Sequence, residues 1–284
     1  MPVLVVGAES PAGHAAVRSL RASGGEVRAY ADADAAGDDE AAALRSLGAK
    51  VAVGDLEDEA HLEAALTRVH TVVHLARGPL ARFSEHLDAV ATSASAALGA
   101  GCQRFVLVSE VAASEPAGNA YLEAVAAAEA LVLDSPLEAV VLRCGLRYGR
   151  GDPVAGLIAD VPLPPSAADA RHAPLFVDDL GAAVAAADAA RGGSVPADVV
   201  VDVVGPDELA LRELATQLRA SRGQSGGRAR SDAHGRSGGR GRSPVPDTLS
   251  DVLVDWLSRS GVGGPAALGR AGTPVAAALE AGGD

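Results

Sequence analysis

Residues 3–20 read Val3-Leu4-Val5-Val6-Gly7-Ala8-Glu9-Ser10-Pro11-Ala12-Gly13-His14-Ala15-Ala16-Val17-Arg18-Ser19-Leu20. Four apolar residues without polar alternation mark a strand buried on both faces, the habit of a parallel sheet. The strand runs into a turn of small residues and then into a helical stretch from His14 to Ser23. That order is what a dinucleotide pyrophosphate needs: small residues let the backbone approach, and the helix start supplies free N–H groups and a positive dipole end. Ser10 stands where the usual fingerprint has its middle glycine. The candidate cofactor contacts of this turn are Gly7, Ser10, Pro11, Ala12 and Gly13.

A second strand, Glu26 to Ala31, ends at Asp32. This is about twenty residues beyond the turn, where a carboxylate accepts hydrogen bonds from the adenosine ribose. An anion there repels a 2′-phosphate, so NAD is the expected cofactor, while Arg28 on the same strand leaves NADP open. The competing reading of Asp32 is a solvated acidic loop, because Asp34, Asp38, Asp39 and Glu40 follow closely.

Short apolar runs and Ala-rich helical stretches alternate through residue 150. Strands are expected at Val3–Val6, Val27–Ala31, Val51–Val53, Thr71–Leu75, Arg104–Val108 and Ala139–Leu142, with helices between them at Asp58–Arg68, Phe83–Gly99 and Ala120–Asp134. Such alternation predicts an α/β fold: a Rossmann-type doubly wound parallel sheet covered on both faces. The division expected is a dinucleotide-binding core over 1–150 and a small C-terminal substrate lobe over 151–284, whose segment 174–206 returns to the core. A helix is expected near Asp207–Ala220, and others at Pro246–Ser260 and Thr273–Ala281. Residues 222–243 are rich in Gly and Arg and hold no aromatic or large aliphatic residue, which predicts a flexible loop.

Of 284 residues, 48% are hydrophobic, enough for a sizeable core, and the formal net charge is −13. The acidic balance argues against a nucleic-acid partner. Cys102 and Cys144 lie far apart without metal-ligand spacing, so no metal site is expected and a reduced cytoplasmic protein is the simplest reading. No apolar run approaches the length of a membrane span.

The motifs, taken in order, resemble the extended short-chain dehydrogenase/reductase family, the NAD-dependent epimerase/dehydratase group, and its atypical NmrA-like relatives. The matching pieces are Val5-Val6-Gly7-Ala8 with Gly13, Gly54-Asp55-Leu56, Val72-Val73-His74-Leu75-Ala76, Arg104 to Ser109, Leu142-Arg143-Cys144-Gly145 with Tyr148-Gly149, and Phe176 to Leu180. The resemblance implies that Asp55 and Leu56 meet the adenine end of the cofactor and that Leu75 and Ala76 floor it, with Val108 and Cys144 as further contacts. Asp178 and Asp179 read as caps of a helix starting at Leu180.

The resemblance also implies a catalytic Tyr-x-x-x-Lys pair and a Ser or Thr after the fifth strand. Here Tyr121 is present, but the position four later is Val125, and the only lysine is Lys50. The Ser/Thr position holds Glu110, beside Ser109. Tyr121, Ser109 and Glu110 are the candidate catalytic residues, and Arg147 or Arg77 could replace the missing charge. Without a cation a phenol stays protonated at neutral pH. The expected function is an NAD(P)-dependent oxidoreductase or epimerase-like enzyme acting on a small polar or sugar-like substrate; a non-catalytic NmrA-like dinucleotide sensor or scaffold is the alternative. A homodimer remains open, with helices 83–99 and 120–134 as the pairing surface.

Overall fold

The structure, a computed structural model, describes residues 1–75, 83–190, 198–228 and 251–259. Ala76, Arg77, the 229–243 part of the Gly/Arg-rich stretch and the helix expected at Thr273–Ala281 lie outside the described residues.

The first half alternates as its periodicity predicts: β1 (Val3–Val6), α1 (Pro11–Ala22), β2 (Val27–Asp32), α2 (Asp38–Ser46), β3 (Lys50–Gly54), α3 (Glu59–Ala65), β4 (Thr71–Leu75), α4 (Phe83–Gly99), β5 (Arg104–Glu110), α5 (Ala120–Leu133) and β6 (Glu138–Cys144). The second half is more broken: β7 (Arg147–Tyr148), α6 (Pro153–Asp160), α7 (Pro165–Ala168), β8 (Arg171–His172), β9 (Leu175–Phe176), α8 (Val177–Ala189), β10 (Val199–Val203), β11 (Leu209–Ala210), α9 (Leu211–Arg228) and α10 (Asp251–Ser258).

Seven strands form one sheet in the order β10-β6-β5-β4-β1-β2-β3, parallel at every pairing. The order reverses between β1 and β4, and ligands of such sheets lie outside the carboxyl ends of the strands at that reversal. Successive strand residues face opposite layers. Val3 and Val5 join one apolar layer with Ala16 and Val17 of α1 and Leu180 and Val184 of α8. Leu4 and Val6 join the other, with Leu62, Val90 and Val132 from the helices of the opposite face. A third cluster, of Leu122 and Val125 with Leu157, Ile158, Leu214 and Trp256, fastens α6, α9 and α10 to the side of α5.

Three expectations are corrected. Helix α1 starts at Pro11 rather than His14, because proline suits a first helical position and Ser10 caps it. Asp178 and Asp179 are not caps: α8 begins at Val177 after Phe176, and they lie in its first turn, where the helix dipole favours negative charge. Asp178 there meets Arg18 of α1 at 3.2 Å. Helix α9 continues to Arg228, into the stretch expected to be loop.

Candidate functional site

The turn after β1 is shaped by side chains and by their absence. Gly7 has φ +76°, a left-handed conformation that glycine adopts without strain. A Cβ on Gly13 would stand 2.5 Å from the Ala8 carbonyl oxygen, so only glycine lets α1 close on the turn. Ser10 takes over what a glycine would leave undone: its hydroxyl accepts the Gly13 N–H at 3.0 Å and donates to the Gly7 carbonyl at 3.0 Å. The serine is thus the helix cap, and with Pro11 and Ala12 it completes the start of α1. Close backbone and a capped helix start fit a pyrophosphate.

Asp32, at the end of β2, is 8% exposed. Its carboxylate accepts the Asp34 N–H at 3.2 Å. The N–H of Asp32, which lies past the end of β1, donates to Oε2 of Glu9 at 3.3 Å. Arg28, the residue that kept NADP open, donates instead to the carbonyls of Ala65, the last residue of α3, at 2.7 Å and of Thr67 at 3.0 Å. Asp55 is exposed on the loop after β3 and its carboxylate accepts the Glu57 N–H at 2.9 Å. Its carbonyl accepts from the Tyr30 hydroxyl at 3.0 Å, and burial pushes that phenol up to about 12. Leu56 is buried in the layer with Tyr30, whereas Leu75, Val108 and Cys144 lie together in the α1 layer. Burial raises the Cys144 thiol to about 12, so it is no nucleophile at neutral pH.

At the end of β5, alternation sends neighbouring side chains opposite ways. The Ser109 hydroxyl donates to Glu129 of α5, which Arg143 holds at 2.6 Å. The structure therefore does not bring Ser109 to Tyr121; it ties β5 and β6 to α5. Glu110 faces the other way. Its Oε1 accepts from the Tyr121 hydroxyl at 3.0 Å and from Nη2 of Arg147 at 2.9 Å. The side chains of Arg147 and Glu110 are 12% and 3% exposed, and Tyr121 is 1% exposed. Burial holds the Glu110 carboxyl above its ordinary value, against the pull of Arg147. Burial, then the Glu110 charge, hold the Tyr121 phenol well above 10. Arg147 on β7 thus sets a cation on the same carboxylate oxygen that the Tyr121 hydroxyl meets. Val125, at the lysine position, is fully buried in apolar packing.

Two residues at this corner escaped sequence reasoning. Trp256 of α10 sets its ring edge-on to Tyr121, centroids 6.2 Å apart, and His172 of β8 donates from Nε2 to the Leu257 carbonyl at 2.9 Å. Glu110, Cys144, Gly145, Leu146, His172 and Trp256 surround a cavity of about 10 Å³. Nothing local in sequence marks Trp256, because α10 reaches α5 only through tertiary packing.

Among known proteins, the family described as NAD(P)H-binding matches residues 7–150, more than half of the chain. No curated protein matches in sequence. Solved structures share the fold. The dTDP-glucose 4,6-dehydratase DesIV of Streptomyces venezuelae, solved with NAD and TYD, is 21% identical with a TM-score of 0.65, over 78% of this chain and 81% of that one. The UDP-glucose 4-epimerase of Thermus thermophilus, solved with NAD, is 22% identical with a TM-score of 0.63, over 78% and 84%. The UDP-N-acetylglucosamine 4-epimerase of Bacillus cereus is 18% identical with a TM-score of 0.59, over 78% and 82%.

Proposed function

The chain belongs to the NAD(P)H-binding family, and from that premise we propose that it is an NAD-dependent oxidoreductase or epimerase-like enzyme working on a hydroxyl-bearing, sugar-like substrate. Gly7, Ser10, Pro11, Ala12 and Gly13 hold the pyrophosphate, Asp32 the adenosine ribose, Asp55 and Leu56 the adenine side. Leu75, Val108 and Cys144 support the cofactor along the strand ends. The nicotinamide supplies the hydride acceptor. The observation that carries the catalytic reading is the contact of Tyr121 with Glu110, with Arg147 on the same carboxylate oxygen.

That contact answers the loss of the lysine. A phenolate at Tyr121 is too costly in this burial, but a neutral phenol can pass a proton along. The substrate hydroxyl gives its proton to the Tyr121 oxygen as the phenol gives its own to Oε1 of Glu110, so Tyr121 is neutral before and after. Glu110 suits the receiving role because burial makes its carboxylate a stronger base than an exposed one. Arg147 keeps that carboxylate in place. Admission of substrate needs this corner to open, since Tyr121 is only 1% exposed.

The test is exchange of the substrate carbinol hydrogen, or reduced-nicotinamide absorbance, with NAD and a panel of sugar nucleotides. Tyr121→Phe and Glu110→Gln should each lower turnover by on the order of a hundredfold with NAD affinity retained. Turnover untouched by both would end the relay. A second reading, a dinucleotide sensor without catalysis, is favoured by the closed corner and by the packing of Val125. Tight NAD binding with no exchange on any substrate, and a partner interaction that changes between NAD and NADH, would select it.

A further inference from the structure

The N–H of Asp32 is the backbone donor at the ribose end of the cradle, and it is already taken by a carboxylate from the glycine turn itself. This N–H lies beyond the end of β1 and faces the turn, so an anion arriving at the ribose end would meet it there. Glu9 spans the gap from the turn to this donor at 3.3 Å, and Asp32 lies beside it, its own carboxylate braced by the Asp34 N–H at 3.2 Å. The cation of the same strand, Arg28, points away from the ribose end, to the carbonyls of Ala65 and Thr67 and towards Glu26.

We propose that Glu9 is a second specificity-determining residue of the cofactor site, its carboxylate standing where a 2′-phosphate would bind. The inference rests on the cofactor reading above and goes beyond Asp32. Asp32 alone rejects the phosphate by repulsion; Glu9 adds a second charge and also occupies the donor that the phosphate would use. A ribose with a free 2′-hydroxyl is tolerated, because a hydroxyl can donate to either carboxylate.

The experiment is titration of the full chain with NADH and NADPH, read by cofactor fluorescence. Wild type should prefer NADH. Glu9→Gln, which keeps an oxygen for the Asp32 N–H and removes the charge, should improve NADPH affinity by on the order of tenfold while leaving NADH within about twofold. Asp32→Asn should improve NADPH affinity by a similar factor but weaken NADH, because it removes the acceptor of the ribose hydroxyls, and in the double variant NADPH affinity should rise by about a hundredfold. Thermal melts of the free variants confirm that each is folded. NADPH affinity unchanged in Glu9→Gln but improved in Asp32→Asn would overturn the role of Glu9 and leave the cofactor reading standing. Wild type that binds NADPH as tightly as NADH overturns it too. Wild type that binds neither dinucleotide overturns the cofactor reading itself.

Discussion

The glycine turn and the Glu110 corner both stand at the carboxyl ends of strands of one sheet, β1 and β5, yet they are built in opposite ways. The turn is a single run, Gly7 to Gly13, whose contacts close within a few residues. The corner draws Glu110 from a strand end, Tyr121 from a helix and Arg147 from a two-residue strand, and joins them through buried charge. A local motif tolerates a change that a neighbour can absorb, as Ser10 caps the helix in place of a glycine. The corner is assembled from distant elements, so its cation comes from Arg147 of β7, while the position four after Tyr121 holds the buried Val125.

The largest effect that would separate the two regions is loss of Arg147. Arg147→Met leaves Glu110 buried without its cation, which should cost roughly 3–5 kcal/mol of unfolding free energy, measured by urea denaturation. Pairing it with Glu110→Leu should recover most of that loss, because an apolar pair of similar volume needs no compensation. If the single variant costs less than about 1 kcal/mol, the corner is wetter than its 3% and 12% exposures indicate.

In the turn the corresponding break is steric. Gly13→Val places a branched side chain where even a Cβ stands 2.5 Å from the Ala8 carbonyl oxygen. Overpacking of this kind costs about 1–3 kcal/mol, and dinucleotide affinity should fall by at least about tenfold, because α1 can no longer close on the pyrophosphate. Calorimetry with NAD checks it. Affinity retained in a folded Gly13→Val would show that the cofactor lies elsewhere.

The same contrast explains what could be read in advance. Strands Val3–Val6 and Thr71–Leu75 and helix Phe83–Gly99 have the bounds expected from periodicity, since apolar runs and Ala-rich stretches carry their own signal. Spacing alone singled out Asp32, and the structure places it at the end of β2. The hydrogen bond from its N–H to Glu9 was not legible, because it depends on where two chain segments end in space. Family resemblance singled out Tyr121 and Glu110, and the structure brings their side chains within 3.0 Å of each other. Ser109 stands apart from Tyr121 because adjacent strand residues face opposite layers, and its hydroxyl donates to Glu129. Trp256 and His172 carried no local signal, because their role depends on α10 docking against α5 and β8.

The smallest expected effect probes that docking and sharpens the comparison, since the turn has no equivalent to it. His172 is buried, and burial lowers its pKa below 6.5 while the bond to Leu257 opposes the shift. Its folded value is depressed, so the unfolded chain takes up the proton first as pH falls. The contribution of His172 is therefore present above 6.5 and is lost as pH drops through the folded value. Trp256, the only tryptophan of the chain, reports the loss. Its emission should shift to the red as the pH falls below 6.5 and α10 loosens. Glu110 and Asp152, both raised by burial, work in the opposite sense and gain stability on acidification, so the control is His172→Gln, which keeps a donor for the Leu257 carbonyl and does not titrate. A red shift that persists unchanged in His172→Gln would assign the pH response to the carboxylates rather than to the histidine under α10.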